Sequence, residues 1–500
     1  MRDHTGAVAL GYNPPFQHPV PSYRDRRYLD AVERWFTAVW RTIGDVTYPN
    51  GPVVAIQLDN EPSVCFQDSM YGTDYSDASI AAFRGWLRSR YVDDVAAWRA
   101  AWDDAGLSDF GSAEAPRPPS LAVQPANPRR LHDWIAFKTD TTAEYLADLK
   151  AMHERMGGQE LLYTVNLVTH PIHDVPVSHA AISRTVGASV GEDHYYIPPL
   201  DTSDVHRLAR SAATARAAGE PLPWVPELQA GIWRSPGEVV EYPDPTPLEQ
   251  EIWWGAGLVL GFSGFNLYML ADRENWELAP LRADGGRSDF LAPVDRLVRV
   301  AQQLPAALTS PAVPVAVVAW HRPDAYAAYT VVGTSRIPKV DWYDADVAGP
   351  YQQWDATLLR LTELGLPYDL WDTATELTAS PELPLIVPAR CGLDPQSLDR
   401  IRATGRRVIE FTTQTELDQL TLSAPSLLGP HGREPRTLVG LRGGAVHLVH
   451  WGEGLDNAVL HLPAQPNGQL TCLSTGTRIP FSSDGAVLAV APGHRVFTLS

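Results

Sequence analysis

Cysteine is scarce. Cys65, Cys391 and Cys472 are the only three in 500 residues; they lie far apart and show no CxxC or Cys/His spacing. That excludes a disulfide framework and a cysteine-ligated zinc module, and it fits a reducing compartment. Lysine is equally rare, at positions 138, 150 and 339, so the positive charge is almost wholly arginine. The net charge of −19 gives the surface a field that repels phosphate backbones and anionic membranes, so neither nucleic acid nor a membrane is an expected partner. No apolar run approaches the roughly 20 residues of a membrane-spanning helix, and the most apolar stretch, Leu258 to Leu270, is cut by glycines. The opening segment MRDHTGAVALGYNPPF carries no signal-like apolar block, and the expectation is a soluble, cytoplasmic protein.

Against these absences stand 16 tryptophans and 18 tyrosines, flat rings that suit either core packing or the faces of sugars. Five hundred residues suggest two or three domains. Short apolar runs at Val53–Leu58, Leu161–Leu167, Val190–Tyr196, Trp224–Leu228 and Phe265–Leu270 read as buried strands. Between them, Tyr28–Ile43, Ala78–Arg90, Leu131–Met156, Ser203–Ala218 and Pro247–Leu260 carry apolar residues at helical spacing. Polar residues gather at the carboxyl ends of these strands, as a barrel with its site on the C-terminal face requires. The fold class is therefore α/β: a (β/α)8-type barrel over residues 1–308, a small βαβ domain over 309–415 and an antiparallel β domain over 416–500. The βαβ segment has flavodoxin- or amidotransferase-like order, carries no GxGxxG or phosphate loop, and its Cys391 has no histidine pattern beside it.

Two glutamates end candidate strands, Glu61 after VVAIQLDN and Glu227 after PWVP. Retaining hydrolysis of a glycoside needs two such carboxyls about 5 Å apart, one protonated and one ionised. Adjacent side chains in an extended chain diverge, so Asn60 and Glu61 can serve a sugar hydroxyl and a leaving oxygen respectively. Asn166, Trp233, Tyr268 and Trp276 are candidate sugar contacts by position and type, and each is equally open to a packing role. His170, His173 and Asp174 have turn spacing but no third well-placed ligand, so no metal is expected.

The stretch NGPVVAIQLDNEPS resembles the acid/base strand of the β-galactosidase families 35 and 42 of the glycoside hydrolases, retaining barrel enzymes. Residues 81–102 resemble the family 42 segment that follows it, PWVPELQAGIW resembles the nucleophile strand, and GFNLYMLADRENW resembles the eighth strand of family 35. The resemblance implies Asn60 on the sugar's 2-hydroxyl, Glu61 as general acid/base and Glu227 as nucleophile. His194-Tyr195-Tyr196 is similar to a His-x-Tyr pattern on strand six of related enzymes, which implies a sugar-side His194 and a Tyr196 hydroxyl on the nucleophile. The alternative for that pair is a buried aromatic with a satisfied histidine.

These likenesses imply a retaining exo-β-glycosidase acting on terminal β-galactosides or a related β-glycoside, with no cofactor expected, since two carboxyls and water suffice. A homo-oligomer through the βαβ domain, which resembles a trimerisation module, is also implied. In both families three strands precede the point where this sequence opens. A barrel without them exposes two edges, which leaves a mis-assigned start, a truncated gene or completion by another chain as explanations. The competing readings are a sugar-binding barrel without turnover and the same chemistry on a glucosaminide.

Overall fold

The computed structural model describes residues 1–3, 5–11, 18–63, 73–117, 129–168, 177–234, 243–310, 312–320, 345–388, 395–411, 420, 424–463, 465 and 467–500. The chain forms two compact units, one built mainly on Met1–Gly191 and the other on Glu192–Trp320 with Gln352–Ser500.

In the first unit, α1 (Arg26–Ile43) starts where the Asp25 carboxylate accepts from the Arg27 amide. The strand β1 (Ala55–Asn60) follows. Next come α2 (Asp77–Arg90), α3 (Val95–Trp102) and the long α4 (Arg129–Arg155). The unit ends with β2 (Leu162–Leu167), α5 (His179–Val186) and β3 (Ser189–Glu192). Gly187, at φ +63°, stops α5, because a left-handed residue after the last turn satisfies the terminal carbonyls and glycine adopts it without a Cβ clash. The strands stand side by side in the order β1-β2-β3, and Leu58, Leu146, Leu149, Val165, Ile182 and Val190 fill the space beneath them.

A second core in this unit is aromatic, built from Phe83, Trp98, Trp102, Phe110, Trp134 and Phe137. At its edge the wholly buried Asp133 accepts from the Tyr91 hydroxyl at 2.6 Å and the Trp102 indole at 2.8 Å, and pairs with Arg90 at 2.8 Å. Much of the tryptophan excess is thus spent on packing, with Trp253, Trp254 and Trp354 equally buried in the second unit.

The second unit opens with α6 (Thr202–Ala217), β4 (Trp224–Gln229), α7 (Pro247–Leu260), β5 (Gly264–Tyr268) and α8 (Leu291–Gln303). Strands β4 and β5 pair in parallel. A capping box between Thr246 and Glu249, with Pro247 in the first turn, starts α7, and Gly261 at φ +111° ends it. Then come β6 (Ala316–Trp320), α9 (Ala345–Glu363), β7 (Tyr368–Asp372), β8 (Leu385–Pro388), α10 (Pro395–Ala403) and β9 (Val408–Phe411). They form a parallel sheet in the order β7-β6-β8-β9. Cys391 lies outside the described residues.

The chain closes with β10 (Ser426–Gly429), β11 (Gly432–Arg433), β12 (Thr437–Arg442), β13 (Ala445–His450), β14 (Leu455–His461), β15 (Gly468–Cys472), β16 (Arg478–Phe481), β17 (Ala486–Val490) and β18 (Gly493–Leu499). These make two antiparallel sheets, β11-β10-β14-β17 and β12-β13-β18-β15-β16. The second sheet packs on α7 closely enough that a Cβ at Gly255 would meet His494 at 2.6 Å. Arg442, buried in β12, donates to the carbonyls of Leu258 at 2.7 Å, Phe262 at 2.8 Å and Leu308 at 2.9 Å. It thereby fills the carbonyl end of α7, where a cation is favoured, although burial lowers its guanidinium to about 10. Among the described residues no helix is long and apolar enough to cross a membrane.

Candidate active site

In the first unit the candidate acid/base sits just past β1. The β1–β2 ladder pairs Gln57 with Thr164 and then Asn60 with Asn166, three steps on one strand against two on the other. One extra residue on β1 bends the strand and turns Asn60 and Glu61 out of the regular pleat. Glu61 takes φ +48°, a left-handed conformation that costs a residue with a Cβ about 1–3 kcal/mol unless its neighbours hold it.

They do. The Glu61 amide donates to Asn166 Oδ1 at 3.1 Å, and the same oxygen accepts from Gln57 Nε2 at 3.0 Å. Asn166 Nδ2 donates to Asn60 Oδ1 at 3.2 Å. Asn166 is wholly buried, which corrects its expected place among the sugar contacts: its amide is used on the protein and fixes the Asn60-Glu61 corner. Asn60 is exposed, and its Nδ2 has no partner among the described residues. Behind the corner, the Tyr145 hydroxyl donates to Asp59 Oδ2 at 3.0 Å, and Tyr23 stacks on Tyr145 at 3.9 Å. Burial pushes the Asp59 carboxyl up, an effect partly offset by hydrogen bonds from the Asn60 amide and Tyr145.

In the second unit Glu227 lies on β4, where the register again slips by one. Val225 faces Phe265 and Leu228 faces Leu267, so Pro226 and Glu227 share the position opposite one residue of β5. Proline has no amide to give a ladder, which makes Pro226 a natural place for the irregularity. The Glu227 side chain accepts a hydrogen bond from the Tyr195 hydroxyl at Oε2. A hydrogen bond to a charged acceptor contributes about 1.5–3 kcal/mol and fixes the carboxylate's orientation. Asp193, 1 % exposed, has a carboxylate oxygen within 4.8 Å of one of Glu227.

The hydroxyl on the nucleophile candidate therefore belongs to Tyr195 and not to Tyr196. The strand expected to reach residue 196 stops at Glu192, and the segment beyond it joins β4 through the His194–Leu228 bridge. Successive residues of that segment face opposite ways, so Tyr196 turns inward against Trp253 at 5.4 Å and is 3 % exposed. His194 is likewise corrected. It is wholly buried beside Trp253 and Phe262, burial holds it neutral far below the usual histidine range, and its ring nitrogens have no hydrogen-bond partner among the described residues.

Trp276, 3 % exposed, is a structural clamp and no sugar platform: its indole donates to the Ala230 carbonyl at 2.8 Å. Trp233 is 43 % exposed, with its ring centroid 6.2 Å from that of Trp276. Tyr268 is half-buried, 6.0 Å from Tyr195 in an edge-to-face arrangement, and receives a hydrogen bond from Arg273 at 2.9 Å. Trp233 and Tyr268 therefore remain as accessible rings. Residues 170, 173 and 174 lie outside the described residues. Chemically, the second unit offers an oriented carboxylate beside a phenol and aromatic faces, and the first offers a carboxyl on a rigid corner with a spare amide.

These features compare with the β-galactosidase-like glycoside hydrolases: residues 17–241 match the family model described as Beta-galactosidase. Among particular proteins, an exo-beta-D-glucosaminidase of Thermococcus kodakarensis is 28% identical over 166 residues, 31% of this chain and 20% of that protein. A beta-galactosidase of an Arthrobacter species is 28% identical over 197 residues, 39% of this chain and 27% of the relative. The chain thus spans about a quarter or less of the curated relatives it matches. The solved beta-galactosidase of the Antarctic haloarchaeon Halorubrum lacusprofundi superposes with a TM-score of 0.67 at 15% identity, over 98% of this chain and 86% of that one. That likeness is one of fold.

Proposed function

We propose that this chain is a retaining exo-β-glycosidase that hydrolyses terminal β-galactosides, or a closely related β-glycoside, through a covalent glycosyl-enzyme. The observation that carries the reading is Glu227, set on a proline-marked bulge of a parallel strand with a tyrosine hydroxyl donated to its carboxylate. In this reading β1 to β5 belong to one (β/α)8-type barrel, and Glu61 and Glu227 serve the same sugar. The Glu227 carboxylate attacks the anomeric carbon while Glu61 gives its proton to the departing glycosidic oxygen. Water then attacks the glycosyl ester, Glu61 takes the water's proton, and the sugar leaves with Glu227 restored. Asn60 offers its free amide to a sugar hydroxyl, and Trp233 and Tyr268 offer faces to the apolar side of the ring.

A second sugar is favoured by one specific observation, the match to an exo-beta-D-glucosaminidase, so the same chemistry on a β-glucosaminide is the alternative. The experiment is to incubate the full chain with 2,4-dinitrophenyl 2-deoxy-2-fluoro-β-galactoside and map the adduct by mass spectrometry. The expected result is a fluoroglycosyl ester on Glu227 and no adduct on the Glu227→Gln variant. An adduct on another residue overturns Glu227 as the nucleophile, and turnover of an aryl β-galactoside without any trapped ester overturns the retaining assignment. Initial rates on aryl β-galactoside and aryl β-glucosaminide decide between the sugars.

A further inference from the structure

Resting on that reading, we propose that Gln229 is a positioning residue that holds the segment carrying Tyr195 against β4, and so keeps the Tyr195 hydroxyl on Glu227. Gln229 ends β4 two residues after Glu227, is 3 % exposed, and uses each of its polar groups. Its Oε1 accepts from the Tyr196 amide at 2.6 Å and its Nε2 donates to the Gly231 carbonyl at 2.9 Å. Its own amide donates to the His194 carbonyl at 3.0 Å, and its carbonyl accepts from the Trp254 indole at 3.2 Å. The His194 amide in turn donates to the Glu227 carbonyl at 2.7 Å.

Backbone pairing ties His194 to β4 on two sides and, by alternation, puts Tyr195 and Tyr196 on opposite faces. A slip of one residue in an extended segment sends every side chain to the opposite side. Here that slip would exchange Tyr195 and Tyr196, two residues of identical chemistry, so nothing in their side chains selects between them. The Gln229 side chain adds a third anchor to that register, because its Oε1 holds the Tyr196 N–H two residues beyond the paired His194, with the Tyr196 ring beside Trp253. Tyr195 is left on the side of Glu227. The glycine two residues on completes the device: Gly231 has φ +91°, and a Cβ there would meet the Glu277 carbonyl at 2.5 Å, so the acceptor of Nε2 is fixed by packing.

The test uses Gln229→Met, Tyr195→Phe and the double variant of the full chain. A misplacement of the order of 1 Å at a reacting group costs up to about a hundredfold. We expect Gln229→Met and Tyr195→Phe each to lower kcat on an aryl β-galactoside by about ten- to a hundredfold with KM little changed, and the double variant to be no worse than Tyr195→Phe. Multiplication of the two losses in the double variant, or a Gln229→Met enzyme as fast as the parent, overturns the proposal. A readout independent of turnover is the Cζ resonance of Tyr195 in chain labelled with ¹³Cζ-tyrosine, identified by its loss in Tyr195→Phe. It is expected to move in Glu227→Gln and to move alike in Gln229→Met. A resonance that stays in place in Gln229→Met sinks the proposal whether or not the chain hydrolyses anything. A moved resonance without turnover leaves the proposal standing and removes the glycosidase reading instead. Gln229→Asn, one methylene too short to reach the Tyr196 amide, stands in should Gln229→Met not fold.

Discussion

The two candidate catalytic carboxyls are presented by the same backbone device and finished in different ways. Each stands at one extra residue in a parallel ladder near its carboxyl end. At Glu61 the constraint falls on the main chain: a left-handed φ of +48° is held by the buried Asn166 amide, with Asn60 and Gln57 in the same network. At Glu227 the constraint falls on the side chain, which receives the Tyr195 hydroxyl, while aromatic rings and Gln229 hold the surroundings. The difference fits the work proposed for each. A nucleophile must keep one oxygen aimed at one carbon, and an acid/base must give and regain a proton from a fixed place, which a held backbone supplies.

The largest effect that would break this comparison is at Glu61. Glu61→Gln removes the proton donor and leaves the attacking carboxylate intact, so its cost should depend on the leaving group. For an alkyl or sugar β-glycoside the expected loss in kcat/KM is several orders of magnitude. For a dinitrophenyl glycoside, whose leaving oxygen needs no proton, the first step should be nearly unimpaired and added azide should restore turnover. A Glu61→Gln enzyme equally slow on both substrates would remove the acid/base role from this residue.

A smaller effect sharpens the main-chain half of the comparison. Asn166→Ala deletes the acceptor of the Glu61 amide and leaves a strained, partly buried corner, at a cost of about 1–3 kcal/mol in stability. Activity should fall by about ten- to a hundredfold with the carboxyl itself untouched. Asn166→Asp keeps an acceptor for the Glu61 amide and should recover part of the stability. A melting temperature unchanged in Asn166→Ala would show that the corner holds itself.

How far the sequence carried can be judged at particular residues. Helix α7 was legible to the residue, because proline at its start and glycine after its end are strong local signals. Strand β4 was legible from its short apolar run, as was the alternation of such runs with amphipathic helices. The Tyr195/Tyr196 choice was not, because it depends on where β3 stops and on the tertiary capture of one amide by Gln229. Asn166, His194 and Trp276 carried the right chemistry for sugar contacts, and only three-dimensional burial reveals that the protein consumes their polar groups or encloses them. Gln229 itself left a trace: it stands two residues after Glu227 in a strand whose other residues are apolar, and a buried polar side chain must find partners.

The smallest expected effect separates the two units by their response to acid. In the second unit His447 and His494 stack at 5.6 Å, with His447 Nδ1 and His494 Nε2 3.4 Å apart. Arg442, Arg296 and Glu251 are their charged neighbours. Burial, reinforced by the pairing and by Arg442, lowers His447 to about 3, and burial lowers His494 to about 4. In the first unit only burial acts on His153, which falls to about 4 while its Nδ1 accepts from the Trp40 indole at 2.9 Å. Each folded value lies below the usual histidine value of about 6.5, so the unfolded chain binds more protons and stability drains as pH falls from about 6.5 toward 4. Asp204, raised by burial to about 6, works in the opposite sense from about pH 6 down to about 4, since its folded form takes up a proton first. With His194 also lowered by burial, three lowered histidines against the raised Asp204 in the second unit face one lowered histidine and the raised Asp59 in the first, so the second unit should lose stability faster on acidification. His447→Leu removes one of the three, and the fall in melting temperature between pH 7 and pH 5 should shrink by a few degrees. His153→Leu should leave the melting of the second unit unaltered, and an equal response to the two substitutions would mean that the units unfold together.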